Sequence, residues 1–131
     1  MFDLEAMLEQ GEYDYTLDEN GNFVVNLRFD DGRFQRVELK TAAMSIKGRR
    51  ALHIRSVGCE DVDLLKDSLL RSCLKNSSKH VLGAWELHGA ELCFCMKVTA
   101  ECSDDDLRHF VNYVGVVADE FERKYRGCDV N

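Results

Sequence analysis

The chain reads as an α+β fold, a two-layer domain in which an antiparallel sheet is covered on one face by helices. Three observations predict it. Short segments of alternating hydrophobicity are joined by Asn-Gly and Asp-Gly turns, the mark of antiparallel hairpins. A long apolar stripe of helical period closes the chain, from Leu107 to Tyr125. The strands come in two groups separated by helical patterns, giving the order α-βββ(β)-α-ββ-α, with no repeating βα unit that would ask for a parallel sheet.

Taken in order, Phe2 to Glu9 is a short helix with Leu4, Met7 and Leu8 at i, i+3 and i+4. Tyr13 to Leu17 alternates weakly. Asp18-Glu19-Asn20-Gly21 is a turn whose Asn-Gly accepts positive φ. Phe23, Val25, Leu27 and Phe29 share one face of the next strand. Asp30-Asp31-Gly32 turns the chain into a strand from Arg33 to Thr41, with Val37 and Leu39 inward and Arg36, Glu38 and Lys40 outward. These segments form a meander. Ala42 to Arg50 is a looser connection, and Ala51 to Val57 is a further strand.

Glu60-Asp61 opens a helix, with acid at the positive end of its dipole. Val62, Leu65, Leu69 and Cys73 share its inward face, and it ends near Asn76-Ser77-Ser78. His80 to Leu87 and Glu91 to Val98 are two strands joined at His88-Gly89. In the last helix Ser103 caps the N-terminus, Asp104, Asp105 and Asp106 fill the first turn, and Leu107, Phe110, Val111, Val114, Ala118, Phe121 and Tyr125 form one stripe. This helix is the expected cover of the sheet.

Residues 1–131 hold no internal repeat, low-complexity segment or proline, and one domain accounts for all of them. Length and a hydrophobic content of 45% suffice for a core without staples. The net charge of −7 disfavours nucleic acid and anionic membrane surfaces as partners. Lys47-Gly48-Arg49-Arg50 is the one basic cluster, and a solvated loop tip is its plain explanation. No apolar run has the length of a membrane span, and Met1-Phe2-Asp3-Leu4-Glu5 does not open a signal peptide. The expected setting is the cytoplasm, with all six cysteines reduced. Cys128, four residues from the end, is followed by Asp129 and makes no prenylation box.

The element order, the Leu64-Leu65…Leu69-Leu70…Asn76 helix and the hairpin leading into a long amphipathic helix resemble the YbjN-like proteins, which share the fold of the type III secretion chaperones. That resemblance covers nearly the whole chain. It implies sensory or regulatory work without a defined chemistry. The chaperone branch implies a small acidic cytosolic protein that binds partner polypeptides, often as a dimer.

The residues themselves offer little catalytic apparatus. There is no phosphate cradle, nucleophile motif or EF-hand spacing. The carboxylates of Asp18, Glu19, Asp30 and Asp31 serve turns, and those of Asp104 to Asp106 serve a helix dipole. Cys59 stands beside Glu60 and Asp61, which oppose a reactive thiolate. Of the histidines, His53 faces away from Leu52 and Ile54, His88 lies in a turn, and His109 falls on the outer face of the last helix. Cys93 and Cys95 point the same way from their strand, opposite Leu92, Phe94, Met96 and Val98. With His80 or His88 they would offer donors to a soft metal, but C-x-C is not a usual zinc spacing, and cysteine also serves as a small hydrophobe. No cofactor is expected.

The middle helix has more apolar surface than one sheet face needs. At about 100° per residue, Leu70 and Leu74 lie to the side of the inward face and Leu64 behind it. Either the neighbouring helix covers them, or Leu64, Leu70 and Leu74 meet a partner or a second copy. The expected function is a non-enzymatic protein-binding module, a small chaperone or regulatory adaptor. The alternative is a small-molecule or metal-responsive sensor using the Cys93/Cys95 face.

Overall fold

The structure is a computed structural model describing residues 3–43, 49–80 and 82–129. Met1, Phe2, Lys47 and Gly48 lie outside the described residues, and so does half of the basic cluster. Six antiparallel strands form one open sheet in the order β1-β2-β3-β4-β6-β5: Tyr15–Leu17, Phe23–Arg28, Phe34–Ala43, Arg50–Cys59, Glu91–Thr99 and Ala84–His88 for β1, β2, β3, β4, β6 and β5. Among the described residues three α-helices accompany the sheet: α1 (Leu4–Gln10), α2 (Asp67–Ser77) and α3 (Asp104–Asp129). This is the expected α+β class and order.

Local chemistry explains the turns. Asp18 Oδ1 accepts from the backbone N–H of Asn20 and of Asn22, both at 2.9 Å, while Gly21 takes φ +80°. Gly32 does the same for the β2–β3 hairpin at φ +87°. Both are left-handed positions where a side chain is costly. The resulting register sets Val25 against Val37 and Leu39 against Ile54, so alternate residues fall on one face. On that face Leu39, Leu52, Ile54, Leu92 and Phe94 have no accessible surface.

α3 closes this layer. Ser103 Oγ accepts from Asp106 N–H at 3.1 Å, the expected N-cap. Leu107, Val111, Val114 and Ala118 are buried along its stripe, with Phe121 and Tyr125 nearly so and Phe110 half-buried. α3 packs on β3, β4 and β6. Asp119, on the same helix, is held by both its oxygens to Arg33 Nη1 at 2.6 and 2.7 Å, tying α3 to the β2–β3 turn.

Strand ends shift by one or two residues from the sequence reading, with β3 running to Ala43 and β4 spanning Arg50–Cys59, and three other elements differ as well. The middle helix is two pieces: a 3-10 turn over Val62–Leu64, two extended residues, Leu65 and Lys66, and then α2. Asp63 and Asp67 each stand in a first turn, where the dipole favours acid, so the charge pattern serves two starts as well as one. Val62 N–H donates to Ala90 O at 2.9 Å, docking the short turn on the β5–β6 hairpin rather than in line with α2. Strand β5 begins at Ala84, not His80; Gly83 at φ +88° precedes it. α1 starts at Leu4, capped by Asp3 Oδ1.

Candidate functional site

The flank of the α2 region is where the sequence places a partner surface. Leu64 is 64% exposed, the most exposed large apolar side chain among the described residues. It stands on the rim of a groove of about 290 Å³ lined by Leu64, Leu65, Lys66, Ser68, Leu69, Ser72 and Tyr125. Leu65 and Leu69 pack against the core, and Tyr125 of α3, itself a core residue, also lines the groove. The break at Leu65–Lys66 makes this groove, because a straight helix would carry Leu64 away from Leu69. Leu74 is 54% exposed, and Leu70 is half-buried against the core; neither lines the groove. The structure thus brings Leu64 together with Leu65, Leu69 and Tyr125, and leaves Leu70 and Leu74 one turn apart on α2. Tyr125 could not be paired with Leu64 from the sequence, since they sit on elements far apart in the chain.

The other face of the sheet is uncovered by helices and polar. Glu38 accepts from Arg55 Nε at 2.5 Å, and Lys97 Nζ lies 3.2 Å from Glu86 Oε2. Cys93 and Cys95 point to this face, as their alternation requires, yet are buried at 0% and 5% exposure. Long neighbouring side chains cover them where no helix does. Burial pushes the Cys93 thiol up to about 11 and the Cys95 thiol up to about 12. Cys73, on the buried face of α2, is likewise raised to about 12. These three are therefore protonated at neutral pH and are poor nucleophiles. Cys59 is also buried and donates to Asp61 O at 3.2 Å.

Histidines divide sharply. His109 is exposed on α3. His80 joins an aromatic cluster, with its ring 4.8 Å from that of Phe94 and its Nδ1 2.6 Å from Tyr113 Oη. His53 lies half-buried on the open face, and desolvation, followed by Lys97 and Lys40, lowers its pKa. His88 ends β5 and turns across the open face. Its Nε2 lies 3.2 Å from Glu86 Oε1 and 3.6 Å from Cys95 Sγ. The three donor atoms lie within 4.8 Å of one another. Cys93 and His80, the other donors weighed in the sequence, do not join this group.

A further cleft of about 290 Å³ holds two ion pairs, Arg55 with Glu38 and Arg126 with Glu122, and is also lined by Arg36, Glu60 and Glu91. No helix among the described residues is long and apolar enough to cross a membrane. No protein-family model matches the chain, and no curated protein does.

Proposed function

We propose that this chain is a non-enzymatic protein-binding module, a small chaperone or regulatory adaptor, which holds an apolar segment of a partner polypeptide in the groove beside α2. The observation that carries this reading is Leu64: a large apolar side chain left mostly in water at the rim of a groove floored by Leu65 and Leu69. An isolated exposed leucine needs no explanation, but one adjoining a groove that Leu65, Leu69 and Tyr125 line together with Lys66, Ser68 and Ser72 offers an apolar contact with a polar rim. The resemblance to the YbjN-like proteins and the secretion chaperones accords with it. The net charge of −7 favours a partner with basic flanks and opposes nucleic acid.

Leu64→Asp tests the reading. An unpaired carboxylate in an apolar contact costs several kcal/mol, and each 1.4 kcal/mol is about tenfold in affinity. We expect wild type to retain a stoichiometric partner in affinity capture from native extract, confirmed by reciprocal capture. Leu64→Asp should lose it by at least about tenfold with an unchanged circular dichroism spectrum. Light scattering decides whether that partner is a second copy. Leu64 is a better probe than Leu70, whose half-buried packing would mix folding with binding. Identical capture by both proteins, with both monomeric, would remove the proposal.

We place the protein in the cytoplasm, where thiols stay reduced. Alkylation in denaturant without reductant should modify all six cysteines, whereas in the folded protein Cys73, Cys93 and Cys95 should react slowly, being buried and protonated. Intact and peptide mass spectrometry reads both. Fewer than six modified in denaturant would overturn the compartment.

A further inference from the structure

We propose that Glu86, His88 and Cys95 form a binding site for zinc or a divalent transition metal of similar preference, on the open face of the sheet. The proposal stands apart from the partner groove, which lies behind α2 and shares no residue with it.

Thiolate, imidazole and carboxylate are the three zinc-binding groups, and three protein ligands with one open position is the arrangement of an accessible zinc site. Zinc bonds of about 2.3 Å to sulfur, 2.0 Å to imidazole and 2.1 Å to carboxylate, at tetrahedral angles, put S···N near about 3.5 Å and N···O near about 3.4 Å. The structure has 3.6 Å between Cys95 Sγ and His88 Nε2, and 3.2 Å between His88 Nε2 and Glu86 Oε1. Two edges of the ligand triangle therefore already have the spacing a tetrahedral ion imposes, and the third, within 4.8 Å, closes toward about 3.6 Å when Glu86 or His88 turns onto the ion.

The surroundings fit as well. Glu86 faces His88 with Oε1 and gives Oε2 to Lys97, 3.2 Å away, so one oxygen is left to ligate while the other is held. Such outer hydrogen bonds orient ligating carboxylates. Cys95 is fixed in the middle of β6 and Glu86 in β5, which pairs with it, so the backbone presets two ligands. His88 also lines a cleft of about 140 Å³ with Asn22, Glu38, Lys40, His53 and Arg55, and it is exposed, so its imidazole is reached from solvent. Binding releases the Cys95 proton to solvent and forms the sulfur–metal bond; no electron is transferred.

The test uses the full tag-free chain, reduced and stripped of metal, titrated with Zn(II) by calorimetry and with Co(II) by absorption spectroscopy. We expect one equivalent bound, with cobalt giving a thiolate charge-transfer band and the d–d bands of a tetrahedral ion. Cys95→Ser should abolish the charge-transfer band. His88→Gln should weaken Zn(II) binding by at least about 10–100-fold, the loss typical of removing even an outer-shell partner. Since His88 is exposed, His88→Gln leaves folding intact and keeps the test valid should Cys95→Ser fold poorly. Cys73→Ser, on the other side of the sheet, should bind as wild type. Less than one equivalent of metal, a cobalt spectrum without the thiolate band, or His88→Gln binding like wild type would each overturn the proposal.

Discussion

Phe94→Ala should cost about 3–5 kcal/mol of stability, the range for truncating a buried aromatic residue. Phe94 has no exposed surface and sits at the middle of β6, the strand between β4 and β5. Its ring centroid lies 5.4 Å from that of Trp85, 4.8 Å from that of His80 and 5.9 Å from that of Tyr113, all tilted or edge-on. Such pairs add about 0.5–1.5 kcal/mol each beyond simple burial. The cluster joins β5, α3 and the segment after α2, so the cavity left by alanine cannot be closed by moving one element. Urea unfolding should show a lower midpoint with an unchanged slope. Phe94→Leu should recover most of the loss, because it refills volume without restoring the edge contacts. A cost below about 1 kcal/mol would mean that the aromatic cluster does not hold these elements together.

How much of this was legible in the sequence depended on whether the signal was local. The hairpin turns were, because Asp18 and Gly21 fix their conformation within five residues. So was α3, whose stripe and Ser103 cap repeat one message over many turns. The inward faces of β3 and β6 followed from alternation alone. The break at Leu65–Lys66 was not legible, since Val62, Leu65, Leu69 and Cys73 fit one continuous helix at the same spacing. What decides against it is a distant contact, the bond from Val62 N–H to Ala90 O. Alternation also hides Gln35 and Ser56, polar residues on the core face. They are buried only because Gln35 Nε2 donates to Ser56 Oγ at 2.8 Å and to Val57 O at 3.0 Å. Of the candidate surface, Leu64 and Leu74 fall outside the inward stripe and are exposed, whereas the part that Tyr125 plays in lining the groove is a tertiary fact. Glu86, His88 and Cys95 meet by a similar accident of register, through the pairing of β5 with β6 and the reach of one imidazole.

Gly83→Ala is the second substitution with a large expected effect, about 2–5 kcal/mol, and it separates two costs that usually travel together. Gly83 holds φ +88°, which charges a side chain about 1–2 kcal/mol. A methyl there would also stand 2.8 Å from Cys95 O and 2.9 Å from two atoms of the Phe94 ring. Neither neighbour can yield: one is backbone in a paired strand, the other a fully buried ring, and overpacking of this kind adds about 1–3 kcal/mol. Gly21 has a similar φ of +80° with nothing near its added carbon, so Gly21→Ala should carry the conformational cost alone. The difference between the two variants measures how tightly the entry to β5 is pressed against β6. Relief of the clash would require β5 to move away from Cys95, taking Glu86 and His88 with it. A Gly83→Ala protein that still folds should therefore bind Co(II) more weakly than Gly21→Ala does. Equal stability of the two variants would show that the close approach at Gly83 is absent, and would remove the structural basis for holding β5 in register at that point.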